Sequence, residues 1–126
     1  MSVQLIGRDL ERLEGLWEDG LSVAYNSYLG ALGGYDTAAQ PRLALAAALV
    51  EVGIRLQGLG GRAAAPATLL VGDLCLARSA RLLADTASTG LQVAFARAIE
   101  EMSSAAASAR PAPHLRELLL RAFEAG

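Results

Sequence analysis

The chain contains no lysine: all eleven basic residues are arginine, set against thirteen acids, and the formal charge is -2. A net charge so small and of this sign gives no field to hold nucleic-acid phosphates, so no nucleic-acid partner is expected. Histidine occurs once, at His114, and cysteine once, at Cys75. A multi-histidine metal centre and an internal disulfide are thereby excluded, and a Cys/His metal cluster has at most one ligand of each kind. Cys75 lies within an apolar stretch and reads as a small buried packing residue, in a reducing, cytoplasmic setting. Long hydrophobic runs are lacking too: the longest, Leu43 to Val50, is far short of the roughly 20 residues that cross a bilayer. No basic segment followed by an apolar run opens the sequence, so a soluble chain with no membrane span is expected.

What is there is small and aliphatic. Hydrophobic residues make up 53% of the 126 and aromatics only 5%, so the core is built from Ala, Leu and Val, a mixture that favours close-packed helices. No stretch alternates with a period of two. The expected fold is all-α, a single helical bundle of about six helices in one domain over residues 1–126.

The helices are marked by caps and breakers. Ser2 can cap a first helix whose apolar positions Leu5, Ile6, Leu10, Leu13 and Trp17 follow helical spacing. Leu21 to Leu32 forms a second, ended by Gly33-Gly34, where left-handed backbone comes readily. Pro41 stands near the first turn of a third, Arg42 to Gln57, which is apolar nearly all round and carries Glu51 and Arg55 as an i, i+4 pair. By pattern this is the most buried helix. A glycine-rich break, Gly58 to Pro66, follows it. Ser88-Thr89-Gly90 precedes a helix from Leu91 to Ala107, with Arg97 and Glu101 spaced to pair on its wet side. Pro111 and Pro113 precede a last amphipathic helix, His114 to Phe123, with Leu115, Leu118, Leu119 and Phe123 facing inward.

The central stretch, Thr68 to Thr86, carries two neighbouring stripes. One is Leu69, Asp73, Leu76, Ala80 and Leu83; the other is Leu70, Leu74, Ala77 and Arg81. Apolar surface so broad needs cover on more than one side, and a core this small covers one. A second protein is expected on the other.

Leu69-Leu70-Val71-Gly72-Asp73-Leu74-Cys75-Leu76-Ala77-Arg78-Ser79-Ala80 resembles the "L-A-G-D-x-L-L-A-x-A" helix of the trans-polyprenyl diphosphate synthases. Thr89 to Ser104, with Ala98-Ile99-Glu100-Glu101-Met102, resembles the helix that follows it in that family. The resemblance covers the middle third of the chain and implies a truncated isoprenoid synthase fold.

Prenyl chain elongation needs two aspartate clusters whose magnesium ions neutralise the departing diphosphate. In the family the first closes a helix reading "E-x-x-H-x-x-x-x-x-H-D-D-x-x-D". With Glu51 at its leading position, Ile54 falls at the first His, and Gly60, Gly61 and Arg62 replace His-Asp-Asp. The Arg-Arg-Gly segment that follows has no counterpart before Leu69, and the second cluster has none in this sequence. Ser104-Ala105-Ala106 replaces the Glu-Gly-Gln type of ending. Other chemistry fares no better. Nothing in the spacing of Ser103, His114 and Asp85 supports a triad. Gly58 to Gly61 lacks the order of a phosphate loop and a preceding strand. His114 reads as a solvated or capping residue. Asp73 reads as a carboxylate satisfied by Arg78 or a partner's backbone, since burying it unpaired costs several kcal/mol.

The resemblance therefore implies a small, non-catalytic subunit of a heterodimeric polyprenyl diphosphate synthase. The larger catalytic subunit would carry the magnesium, and this chain would bind no cofactor itself. It would support its partner's activity in quinone side-chain synthesis, menaquinone being one such product. The two matched helices form the subunit interface in that family, which nominates Leu69, Asp73, Leu76, Ala77, Ala80, Leu83, Phe95, Ile99 and Met102. Leu70, Leu74 and Leu76 are the candidates for setting product length, because a bulky side chain at a tunnel floor excludes a further isoprene unit by overlap. The alternative is a self-associating helical scaffold, a homodimer when isolated, with no role in prenyl transfer.

Overall fold

The structure, a computed structural model, describes residues 20–57, 66–111 and 113–125. These residues form five helices and no strand: α1 Ser22–Leu29, α2 Gln40–Leu56, α3 Pro66–Thr86, α4 Thr89–Ala107 and α5 Leu115–Ala125. The all-helical expectation holds. The helix expected around Leu5 to Trp17 and the glycine-rich break from Gly58 to Ala65 lie outside the described residues.

Helix α2 is the axis of the bundle. Every residue from Ala46 to Ile54 is buried, as its all-round apolar pattern requires. It packs most extensively on α3 and next on α1, while α4 packs chiefly on α5. Alanine and glycine let α2 and α3 approach closely. A Cβ at Gly53 would stand 3.0 Å from the Gly72 carbonyl oxygen and 3.1 Å from Leu76 Cγ, and one at Gly72 would stand 3.0 Å from the Gly53 carbonyl oxygen. The two glycines face each other at the crossing point of the helices.

Capping explains both boundaries of α4. Ser88 Oγ accepts from the Leu91 N–H at 3.2 Å, so α4 begins at Thr89, two residues earlier than expected. It ends with Ala109 at φ 53°, and the Arg110 N–H donates to the Ala105 carbonyl at 2.9 Å. This is a Schellman closure with alanine in the place glycine prefers. One expectation is corrected: α1 ends at Leu29, capped by Gly30 in right-handed backbone. Neither Gly33 nor Gly34 is left-handed; Gly20 is the only described glycine at positive φ. Beyond α1 the Tyr35 N–H donates to the Leu32 carbonyl and the Gln40 side-chain amide donates to the Tyr35 carbonyl, which turns the chain into α2.

At the far end, Phe123 of α5 sits edge-on to Tyr28, Tyr35 and Phe95, with ring centroids 6.3, 5.9 and 5.3 Å away. Edge-to-face packing at these distances is favourable beyond area burial. The Tyr35 hydroxyl also donates to the Phe123 carbonyl at 2.5 Å. Thus α5 is fastened to α1, α4 and the α1–α2 turn through one ring.

Candidate functional site

Helix α3 turns inward on residues outside both stripes, Val71, Cys75 and Ser79, continued by Leu83 of the first. Spaced four apart, they are buried against the rest of the bundle. Ser79 is tolerated there because its hydroxyl donates to the Ala46 carbonyl at 2.8 Å, leaving no unpaired donor. Burial raises the Cys75 thiol above its ordinary value, so the thiol stays protonated and packs as a small apolar group.

The nominated interface residues divide accordingly. Leu69, Asp73, Ala77 and Ala80 are exposed, Leu76 and Ile99 are half-buried, and Leu83, Phe95 and Met102 lie in this chain's own core. The length candidates Leu70 and Leu74 are 53% and 42% exposed on the outward side of α3. Asp73 needs neither Arg78 nor a partner's backbone: it is exposed, and the Gln57 side-chain amide donates to it from the end of α2. The Arg97–Glu101 pair is absent among the ion pairs of the described residues.

Five of the nominated residues nevertheless come together. Leu76, Ala80 and Leu83 of α3 and Phe95 and Ile99 of α4 line a half-open crevice of about 160 Å³, floored by Val50 of α2. The crevice exists because α3 and α4, although consecutive, barely touch. Its two polar neighbours are already engaged: Ser79 on the Ala46 carbonyl, and the Gln92 amide on the Ala87 carbonyl at 3.1 Å. It therefore offers a mainly apolar surface. Its size is that of a cavity that holds one benzene-sized group, roughly 150 Å³.

A second site was not legible in the sequence. Glu51 is 7% exposed, and four donors converge on its carboxylate. Oε1 accepts from the Tyr28 hydroxyl at 2.9 Å and from Arg116 Nε at 2.9 Å; Oε2 accepts from Arg116 Nη2 at 2.8 Å and from Arg55 Nη2 at 3.3 Å. Burial by itself would raise the Glu51 carboxyl. The hydrogen bonds from Arg116 and Tyr28, with the two positive charges, outweigh it and hold the group below its usual range. The Tyr28 hydroxyl is pushed well up by burial and by the adjacent carboxylate, and the Arg116 guanidinium is held charged by its fork on Glu51. The i, i+4 pair with Arg55 is the part of this junction that spacing predicts. Tyr28 and Arg116 lie 23 and 65 residues away from Glu51 in sequence, and no local signal links them.

Beside this junction an open cleft of about 560 Å³ separates α2 from the start of α5. Met102 lines it rather than the crevice, as does the exposed His114. Among the described residues no three His, Cys, Asp or Glu side chains group to hold a metal ion, and no helix is long and apolar enough to cross a membrane. Compared with protein-family models, with curated proteins and with solved structures, the chain shows no match.

Proposed function

We propose that this chain is a non-catalytic helical subunit that docks onto a larger protein through the α3–α4 face, the specific reading being the small subunit of a heterodimeric polyprenyl diphosphate synthase. The observation that carries the docking reading is the crevice. Five residues nominated from sequence line one apolar depression, and Leu69, Leu70 and Leu74 stand exposed on the same helix. An anchor side chain in such a depression is how interfaces concentrate their binding energy. Of the exposed leucines, Leu69 lies on the crevice side of α3, while Leu70 and Leu74 lie more than a quarter turn away. The synthase identity rests on the resemblance of Leu69 to Ala80 and Thr89 to Ser104 to the family's interface helices. On this reading the partner supplies the magnesium and the diphosphate chemistry in the cytoplasm, and this chain supports turnover and limits product length.

Mixing the chain with a full-length polyprenyl diphosphate synthase from the same organism tests the proposal. A stable complex on a sizing column, with activity above that of the synthase alone, is the expected result. Absence of a complex refutes it. Within such a complex, Leu74→Ala or Leu76→Ala should lengthen the product without abolishing turnover. Unchanged product length for every α3 substitution removes the length-setting role and leaves the partnership. The same exposed face suits a second copy of this chain, so a homodimer indifferent to added synthase favours the scaffold reading.

A further inference from the structure

We infer that the cleft beside Glu51 is a binding site for a small amphiphilic anion, a carboxylate or phosphate monoester on a short hydrocarbon tail. The inference is independent of the docking proposal, since the cleft shares no lining residue with the α3–α4 crevice. The cleft is open and about 560 Å³ in volume, so a short-chain guest lies along it with one side left to solvent. Ile54, Met102, Leu115 and Leu120 give it an apolar wall. Its polar lining includes two guanidinium groups, of Arg55 and Arg116, both bonded to a carboxylate whose side chain is 8% exposed.

The hydrogen-bond inventory decides which of these groups meets a guest. Glu51 is saturated: each oxygen accepts two bonds. Arg116 is committed to it through Nε and Nη2. Arg55 makes a single 3.3 Å bond from a side chain that is 59% exposed, so most of its five N–H donors remain to be met. A guest anion is thus received by Arg55, with the charged Arg116 behind it, while its tail lies along Ile54, Met102 and Leu120. A cation is disfavoured in the same place by Arg55, the guanidinium group with donors to spare, since the charge of Arg116 is balanced by its fork on Glu51. Glu117, exposed on the rim, opposes an anion, and that opposition gives the site a signature.

The test is a titration of the labelled full chain, followed by methyl and Arg Nε resonances in NMR, with hexanoate and with hexyl phosphate. Hexanol and hexylamine serve as tail-matched controls. Saturable shifts at Ile54, Met102, Leu115 and Leu120 are expected for the two anions, with hexanol and hexylamine at least roughly fivefold weaker, the size of one exposed charge contact. The tighter of the two anions identifies the headgroup. Arg55→Gln should weaken anion binding by roughly fivefold and Glu117→Gln should tighten it about twofold. Absent or non-saturable shifts, hexanol binding as tightly as hexanoate, or Arg55→Gln leaving the anion affinity unchanged would each overturn the inference. The alcohol comparison needs no variant, so it stands even if a substitution disturbs the fold.

Discussion

The outward side of α3 and the junction at Glu51 place side chains against their usual preferences, in opposite senses. Leu69, Leu70 and Leu74 stand in solvent, where an apolar side chain gains nothing. Glu51 sits inside the most buried helix, where a carboxylate alone would be prohibitive. The interior exception is compensated within the chain by Tyr28, Arg55 and Arg116. The surface exception has no compensation within the described residues. Among the described residues, the one buried acid is fully satisfied while three leucines of α3 stay 38–53% exposed, and it is this contrast that motivates the docking proposal.

The largest effect that probes this contrast is Glu51→Ala. It strands Arg116 and the Tyr28 hydroxyl and should cost about 2–3 kcal/mol, below the range for a fully buried pair because Arg116 is 40% exposed. Urea denaturation measures it; a loss under about 0.5 kcal/mol would place Glu51 with ordinary surface residues. The same group sets an acid limit. Its folded carboxyl titrates below its ordinary value of 4.5, so its contribution is full above that pH and disappears as pH falls through the lowered folded value. Glu51→Gln should flatten that part of the acid-stability curve, and an unaltered curve would assign the slope to other carboxylates.

Smaller effects follow. Gly53→Ala forces a methyl against the Gly72 carbonyl, Leu76 and Cys75. It should cost about 1–2 kcal/mol net of the helix propensity gained, read from the urea midpoint. Ala109→Gly relieves the left-handed alanine at the end of α4 and should stabilise by about 0.5–1 kcal/mol in the same assay. Leu74→Asp, on the outward face, should change stability by less than about 0.5 kcal/mol while abolishing the proposed partner association. A cooperative loss of folding in that variant would make the surface leucine a core residue and end the contrast.

Much of the fold was legible in the chain because its signals are local. Pro41, Ser88 and Pro113 mark helix starts through the chemistry of the first turn, and Leu115, Leu119 and Phe123 repeat at helical spacing and are buried. The core role of Cys75 was legible for the same reason. The candidate face was legible only in part. On α3, apolar residues run round most of the helix, and periodicity names the possible faces without ranking them. Met102, nominated for the interface, lines the Glu51 cleft, and that placement was not legible because which side of α4 meets α5 depends on a turn through Ala109 that has no glycine to announce it.

By itself the sequence determined that the chain is helical, where most helices begin, and that α2 would be enclosed, since each of these follows from residues within a few turns of one another. Tertiary structure alone decided that Val71 and Ser79 turn inward while Leu70 and Leu74 turn out, and that Glu51 is met by Tyr28 and Arg116. Those outcomes depend on where distant helices cross, on two glycines that let α2 and α3 meet closely, and on a carboxylate that must find donors wherever the packing leaves it.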